Sequence, residues 1–427
     1  MGRASCSEEP IGGARATRPP GAAIAHAARQ RQRLPGWLVI GATGRNSGKS
    51  DLACAVIAKL HRVHPIVGVK VTTIAGEEAA CPRGRDGCGA CTGLEGEFEI
   101  REEDASQPGK DTARMLQSGA RRAFWVRCRS GGTRSALAAL APLLDRGTLV
   151  VAESNSLAGE ARPDLFLMVR PAGAPVVKPT AQAVLPFAQR MVVSVDRAFD
   201  LDLRHLVVVD GEWRLAEASA VILAGGASAR MGQDKSLLLV GGTPLIQLVW
   251  EQLSRRFDDV LVSANEPEKY AFLEARSVPD LVPGCGPLMG IRTALEAARH
   301  DRVFVTACDV PYVDRETVDR MLVLADDFDC VVPISRVGPE PLFAVYRKSA
   351  IPAMRHVLDS GERRISSVFP RVRTRVFDLG QAPWYRNLNT RDDLDAYLGS
   401  RAGSLSAEDE LVSAAGPERS VRSGSPP

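Results

Sequence analysis

Short apolar runs alternate along this chain with longer segments whose apolar positions recur every three or four residues. Strand-like runs lie at 37–41, 65–71, 122–128 and 148–152, and helical patterns at 51–61, 113–118 and 135–144. Strand, helix, strand at these lengths predicts mainly parallel sheets covered by helices on both faces, a three-layer α/β/α arrangement. The pattern restarts at Ala218, after the run 206–209, the turn Asp210-Gly211-Glu212 and a polar joint at 216–219. Two domains are therefore expected, 35–216 and 217–400. Residues 1–34, rich in Arg, Pro, Gly and Ala, and 401–427, rich in Ser, Gly, Pro and Glu, lack the apolar side chains to form a core and are expected as disordered tails.

A length of 427 residues with 45% hydrophobic content suits two buried cores. The 54 basic and 51 acidic residues leave a net charge of only +3, so no global field marks a nucleic-acid binder. No run approaches the roughly 20 apolar residues that cross a bilayer, and no compact apolar block suggests a secretion signal, so a cytoplasmic location without membrane partners is expected. Of the nine cysteines, Cys54, Cys128, Cys308 and Cys330 stand singly among apolar neighbours, as free thiols in a reducing compartment do. Cys81, Cys88 and Cys91 instead occupy a glycine-rich loop at 81–91. They either converge on zinc or an iron–sulfur cluster or form an inert or redox-labile surface loop; no fourth ligand is evident nearby.

The richest chemistry lies at 223–235, Leu-Ala-Gly-Gly-Ala-Ser-Ala-Arg-Met-Gly-Gln-Asp-Lys, directly after the apolar run 218–223. Glycine lets backbone amides approach phosphate oxygens, and cations behind it neutralise charge developing on a leaving pyrophosphate. Leu223, Ala224, Gly225, Gly226, Arg230 and Lys235 are thus candidates for a triphosphate cradle. The apolar segment 302–307 leads to Asp309 just past its end, where open α/β sheets collect ligands. Asp309 there either holds a hard cation such as Mg²⁺ or caps a helix beginning near Pro311. Asn265 and Asp280 either hydrogen-bond a base or ribose or cap their own loops. Arg363 and Arg364 form either a contact for an acidic substrate or a solvated pair.

A second phosphate signal follows the run Trp37-Leu38-Val39-Ile40. Residues Gly41-Ala42-Thr43-Gly44-Arg45-Asn46-Ser47-Gly48-Lys49-Ser50 look like a P-loop, in which amides cradle phosphates, the lysine reaches them and the serine meets magnesium. Gly44, Asn46, Ser47, Gly48, Lys49 and Ser50 are the candidates for nucleotide binding. The first glycine of the Gly-x-x-x-x-Gly-Lys-Ser pattern falls on Thr43, so turnover is less expected than binding. Glu153, ending a strand-like run, either faces magnesium or is a solvated strand-end carboxylate.

These motifs carry two resemblances. Residues 35–200 resemble the P-loop adaptor protein of molybdopterin-guanine dinucleotide biosynthesis, through Gly48-Lys49-Ser50, Gly68-Val69-Lys70, Phe98-Glu99-Ile100 and Pro108-Gly109-Lys110-Asp111-Thr112. The histidines that often follow that family's second strand are replaced here by the three-cysteine loop. Residues 218–399 resemble the molybdenum cofactor guanylyltransferase family. The matching motifs are the 223–235 loop, Val262-Ser263-Ala264-Asn265, Val278-Pro279-Asp280, Gly286-Pro287-Leu288-Met289-Gly290, Ala307-Cys308-Asp309-Val310-Pro311 and Asn387-Leu388-Asn389-Thr390. The resemblance implies a P-loop NTPase-like domain followed by a Rossmann-like nucleotidyltransferase that transfers GMP from magnesium-bound GTP to the terminal phosphate of molybdopterin. Lys235 and Asp309 would be catalytic. Gly226 favours GTP over CTP, since Leu-Ala-Ala-Gly is more usual for cytosine. Molybdoenzyme apoproteins or other cofactor-synthesis proteins are implied as partners. Two other readings stay open: a cytidylyltransferase or sugar-nucleotide-type transferase, and a P-loop carrier whose transferase domain is inactive.

Overall fold

The computed structural model describes residues 31–44, 46–74, 94–104, 110–173, 177–224, 234–336 and 338–379, together with 382, 385, 388 and 393. The chain divides into two compact units. One runs to Leu201 and takes in Asp210–Trp213; the other comprises Asp202–Val209 and the chain from Arg214 onward. The change of unit therefore comes before residue 217, with short segments interleaved on either side of the Asp210-Gly211 turn.

In the first unit the strands are β1 (Gln32–Ala42), β2 (Ile66–Ile74), β3 (Phe98–Glu102), β4 (Arg122–Arg129), β5 (Leu149–Glu153), β6 (Ala161–Pro171), β7 (Arg190–Val195) and β8 (Ala198–Phe199). They form one sheet in the order β3-β4-β2-β5-β1-β6-β7-β8. The six central strands are mutually parallel, and only the edge strands β3 and β8 run antiparallel. The helices α1 (Lys49–Leu60), α2 (Asp111–Gln117), α3 (Thr133–Leu140), α4 (Leu157–Glu160) and α5 (Pro179–Gln182) connect them. The helical pattern read at 135–144 resolves into α3 and a 3-10 turn, Ala141–Leu143, because Pro142 cannot continue the hydrogen-bond ladder. β1 starts at Gln32, inside the stretch expected as a tail, since Gln32, Arg33 and Leu34 pair with Ala161, Arg162 and Pro163 of β6. Trp213 is fully buried in this unit, and its indole N–H donates to the Gly36 carbonyl (3.0 Å), satisfying the one polar atom that burial would otherwise penalise.

The second unit opens with β9 (Leu206–Val209) and β10 (Glu212–Leu215), followed by β11 (Ser219–Leu223), β12 (Leu239–Val240), β13 (Thr243–Pro244), β14 (Val260–Ser263), β15 (Arg276–Val278), β16 (Arg302–Ala307), β17 (Cys330–Ser335), β18 (Gly338–Pro339), β19 (Phe343–Arg347) and β20 (Thr374–Asp378). Its main sheet has the order β15-β14-β11-β16-β19-β17-β18, with β20 alongside β17. β15, β14, β11 and β16 are parallel, whereas β19 is antiparallel to both β16 and β17. The sheet is therefore mixed. Helices α6 (Leu245–Ser254) and α8 (Arg315–Leu324) cover one face, and α7 (Pro287–Ala297) and α9 (Ile351–Asp359) the other. Strand alternation divides the core accordingly: Ala220, Ile222 and Phe304 pack to one side, Val221, Val303 and Val305 to the other. On α6 the buried positions Leu245, Ile246, Val249 and Leu253 form a 3.6-residue apolar stripe. Each such side chain contributes on the order of 1.5–3 kcal/mol by leaving water.

Candidate functional site

In the second unit the parallel strands end together. Leu223 is level with Ser263 and Ala307, and Ser263 with Val278, so β11, β14, β15 and β16 deliver their loops to one edge of the sheet. Backbone bonds tie these loops: Ala224 N–H donates to the Ser263 carbonyl (2.9 Å), Ala264 N–H to that of Val278 (3.1 Å), and Cys308 N–H to that of Leu223 (3.3 Å). Ala224 is buried and Leu223 half-buried. Gly225, Gly226 and Arg230 lie outside the described residues, and so do Cys81, Cys88 and Cys91 of the first unit.

Asp309 sits two residues beyond β16. Burial pushes its carboxyl above the ordinary aspartate value, an effect that Lys235 opposes and the charge of Glu340 reinforces. Lys235 and Asp309 are thus brought together although 74 positions separate them in the sequence. Asp309 does not cap a helix near Pro311. That role falls to Asp314, whose side chain accepts from Thr317 N–H (2.8 Å) at the start of α8. Beside Lys235, Asp234 accepts from the Ser236 hydroxyl (2.6 Å), and that hydroxyl also bonds Tyr270 (2.9 Å), which fixes the turn carrying the lysine. The neighbouring Cys308 thiol is pushed up to about 12, first by burial and then by the charges of Asp309 and Asp234, so it stays protonated. Leu388 N–H donates to the Asp309 carbonyl (2.9 Å), which brings that residue to this edge; Asn387 and Asn389 lie outside the described residues.

Asn265 and Asp280 pair with each other. The Asn265 amide donates to Asp280 Oδ2 (3.0 Å), and Asp280 N–H donates to Asn265 Oδ1 (2.9 Å). A Cβ on Gly290, in α7, would stand 2.8 Å from Ser263 Oγ and 3.3 Å from Asp280 Oδ1, so only glycine lets this helix approach so closely. Arg363 donates to the Gly284 carbonyl, latching the loop ahead of α7. Glu340 is a residue that sequence reasoning missed. It lies in a turn with no motif, and the antiparallel β18 and β19 alone bring it to Asp309.

The first unit holds a second polar cluster beyond the C-terminal ends of β1 and β5, level with Lys70 in the middle of β2. Gly48 has φ 86°, a left-handed conformation that suits glycine, and opens α1 without a side-chain cap. Lys49 Nζ lies 3.3 Å from Glu153 Oε1, and the Ser50 hydroxyl donates to the same oxygen (2.8 Å). Glu153 is 2% exposed and so is not a solvated strand end. Its Oε2 and the Ser47 hydroxyl are buried without a partner in this cluster. Lys70 pairs with Asp111. Burial raises the Asp111 carboxyl, but Lys70 and the Ser50 hydroxyl outweigh it and hold the group below its ordinary range. Gly44 is half-buried and Asn46 is exposed with φ 52°.

Residues 220–375, which carry the strand-end site of the second unit, match the family model of the MobA-like NTP transferase domain. The molybdenum cofactor guanylyltransferase of Vibrio atlanticus is 32% identical over 188 residues, 42% of this chain and 95% of that protein. The chain belongs to the molybdenum cofactor guanylyltransferase family. Within that family, the protein of Desulfosudis oleivorans is 30% identical over 201 residues, covering 44% of this chain and 98% of that protein. Among solved structures, molybdopterin-guanine dinucleotide biosynthesis protein A of Archaeoglobus fulgidus is 25% identical, with a TM-score of 0.39, over 43% of this chain and 99% of its own. As a guanylyltransferase family member, the chain is a nucleotidyltransferase, and the family match falls in its second unit. Among the described residues no helix is long and apolar enough to cross a membrane.

Proposed function

We propose that the second unit transfers GMP from magnesium-bound GTP to the terminal phosphate of molybdopterin, forming molybdopterin guanine dinucleotide and releasing pyrophosphate. The observation that carries this reading is the meeting of Lys235 and Asp309 at the strand-end edge that also presents Asn265 and Asp280. A terminal phosphate oxygen of molybdopterin attacks the α-phosphorus of GTP, a new P–O bond forms, and the bond to the pyrophosphate oxygen breaks. The nucleophile is already anionic, so no general base is needed; positioning and charge stabilisation carry the reaction. Lys235 neutralises charge at the α-phosphate, and Asn265 and Asp280 engage the nucleoside. A half-buried carboxylate held near Glu340 suits a hard divalent cation. Asp309, with Glu340 beside it, would hold Mg²⁺, which supplies charge neutralisation at the phosphates. The glycines of the 223–235 loop, Gly226 among them, favour guanine in this reading, with cytosine the alternative.

The first unit, in the same proposal, is a P-loop adaptor that binds GTP at residues 44–50. Lys49 and Ser50, both held on Glu153, support this. An incoming triphosphate takes over Lys49, and Ser50 and Glu153 then face its magnesium. The site turns over slowly or not at all, because Thr43 stands where the P-loop pattern has its first glycine. Pyrophosphate release from a nucleotide panel with molybdopterin tests the transferase. Release with CTP but not GTP would exclude the guanylyl reading, and release with neither would exclude transfer.

A further inference from the structure

At the opposite end of the second unit's sheet, three connecting loops bring together His205, Asp258 and His300. His205 precedes β9, Asp258 precedes β14 and His300 precedes β16, whereas Asp309 follows β16. The six residues of β16 at about 3.3 Å each put this cluster roughly 20 Å from the proposed transfer site. Both imidazoles donate from Nε2 to the same oxygen, Asp258 Oδ1, at 2.9 Å from His205 and 2.8 Å from His300. The three ligand atoms lie within 4.8 Å of one another.

We infer that His205, Asp258 and His300 form a binding site for a borderline divalent transition ion, with Zn²⁺ the best fit to two imidazoles and one carboxylate. A tetrahedral ion with bonds of about 2.0–2.1 Å sets its ligand atoms about 3.3 Å apart, so each imidazole–carboxylate distance needs to open by only about half an ångström. Water or a further group takes the fourth position. His300 is the way in, since it lines a surface cleft with Glu217, Asp301, Arg302, Asp326 and Arg347. The backbone around the triad is already fixed: Arg299 N–H donates to Asp259 Oδ2 (2.8 Å), His300 N–H to Ser219 Oγ (3.1 Å), and Ala216 N–H to the His205 carbonyl (2.8 Å). Arg299 donates to Asp258 Oδ2 (2.7 Å), leaving Oδ1 turned toward the imidazoles. The bound ion displaces the two Nε2 protons and ties the segment ahead of β9 to the sheet.

The test is zinc binding by the full chain in a Cys81→Ser/Cys88→Ser/Cys91→Ser background, which removes the thiol-rich loop. Equilibrium dialysis is expected to give one zinc per chain. Co²⁺ in its place should give a tetrahedral visible spectrum without thiolate-to-metal charge transfer, and zinc should raise the melting temperature. His300→Gln retains a hydrogen-bond donor toward Asp258 but no imidazole. It should fold like the parent and lose zinc binding by at least about tenfold, and Asp258→Asn should do the same. No saturable binding by the parent, or binding that survives both substitutions, would overturn the site.

Discussion

The two loops proposed to bind phosphate face opposite situations. At residues 44–50 the lysine is paired with a buried glutamate of its own unit, and the serine hydroxyl donates to the same oxygen. At the edge carrying Asp309, a lysine meets an aspartate whose carboxyl is pushed above its ordinary range. The first arrangement is a neutralised pair at rest, from which a ligand must take over the lysine. The second holds a carboxylate whose charge is not fully compensated, which is the state that rewards a divalent cation. In the proposed reading, a glycine–lysine motif does not by itself distinguish a binding loop from a reaction centre; the balance of charge around its lysine does.

The largest effect expected is at Lys235. Lys235→Ala should lower pyrophosphate release by about 10²–10³-fold, the scale of losing one preorganised charge-stabilising group, with Lys49 untouched. Next comes Lys49→Ala, which should weaken GTP binding to the first unit by about tenfold or more, one charge-assisted contact, and leave transfer by the second unit unchanged. Equal loss of transfer in the two variants would break the comparison. At subsaturating magnesium the acid limb of transfer should lie above the ordinary aspartate value of 3.8, because Asp309 must ionise to take up the ion and its metal-free pKa is raised. A pH–rate profile whose acid limb follows an unshifted aspartate would contradict this.

Much of this was legible in the sequence. Alternating strand and helix patterns predicted the α/β layers, and Asp309 stands where the 302–307 run implied, just past β16. The two glycine–lysine motifs were visible from spacing alone, and their binding of phosphate is part of the proposal. What was not legible depends on distant chain crossings. Nothing at Glu340 marks it as a neighbour of Asp309, because that proximity comes from the antiparallel β19 beside β16. The start of β1 at Gln32 was hidden because Gln32 and Arg33 are polar, and their strand is held by pairing to β6, not by burial of their side chains. The reciprocal pairing of Asn265 with Asp280 likewise needs the β14–β15 register, which no local pattern announces.

Smaller effects sharpen the comparison by separating stability from chemistry. Gly290→Ala should cost about 1 kcal/mol in stability by crowding Ser263, and it should raise the KM for nucleotide more than it lowers kcat because Asp280 is displaced. Thermal melts and initial rates check both. Asp202→Asn should cost about 1 kcal/mol at neutral pH through its bonds to Arg204. Asp202 titrates at about 2 in the folded protein, held down chiefly by Arg204, against an ordinary 3.8. Its stabilisation is therefore complete above the ordinary value and disappears as the pH falls from 3.8 through about 2. Denaturant melts of the variant and the parent should converge in that window.

The most direct test of the central claim follows pyrophosphate from magnesium, GTP and molybdopterin for the parent chain, Asp309→Ala and Lys49→Ala. The account predicts release by the parent, loss of at least about a hundredfold in Asp309→Ala and no change in Lys49→Ala. Undiminished release from Asp309→Ala would contradict it.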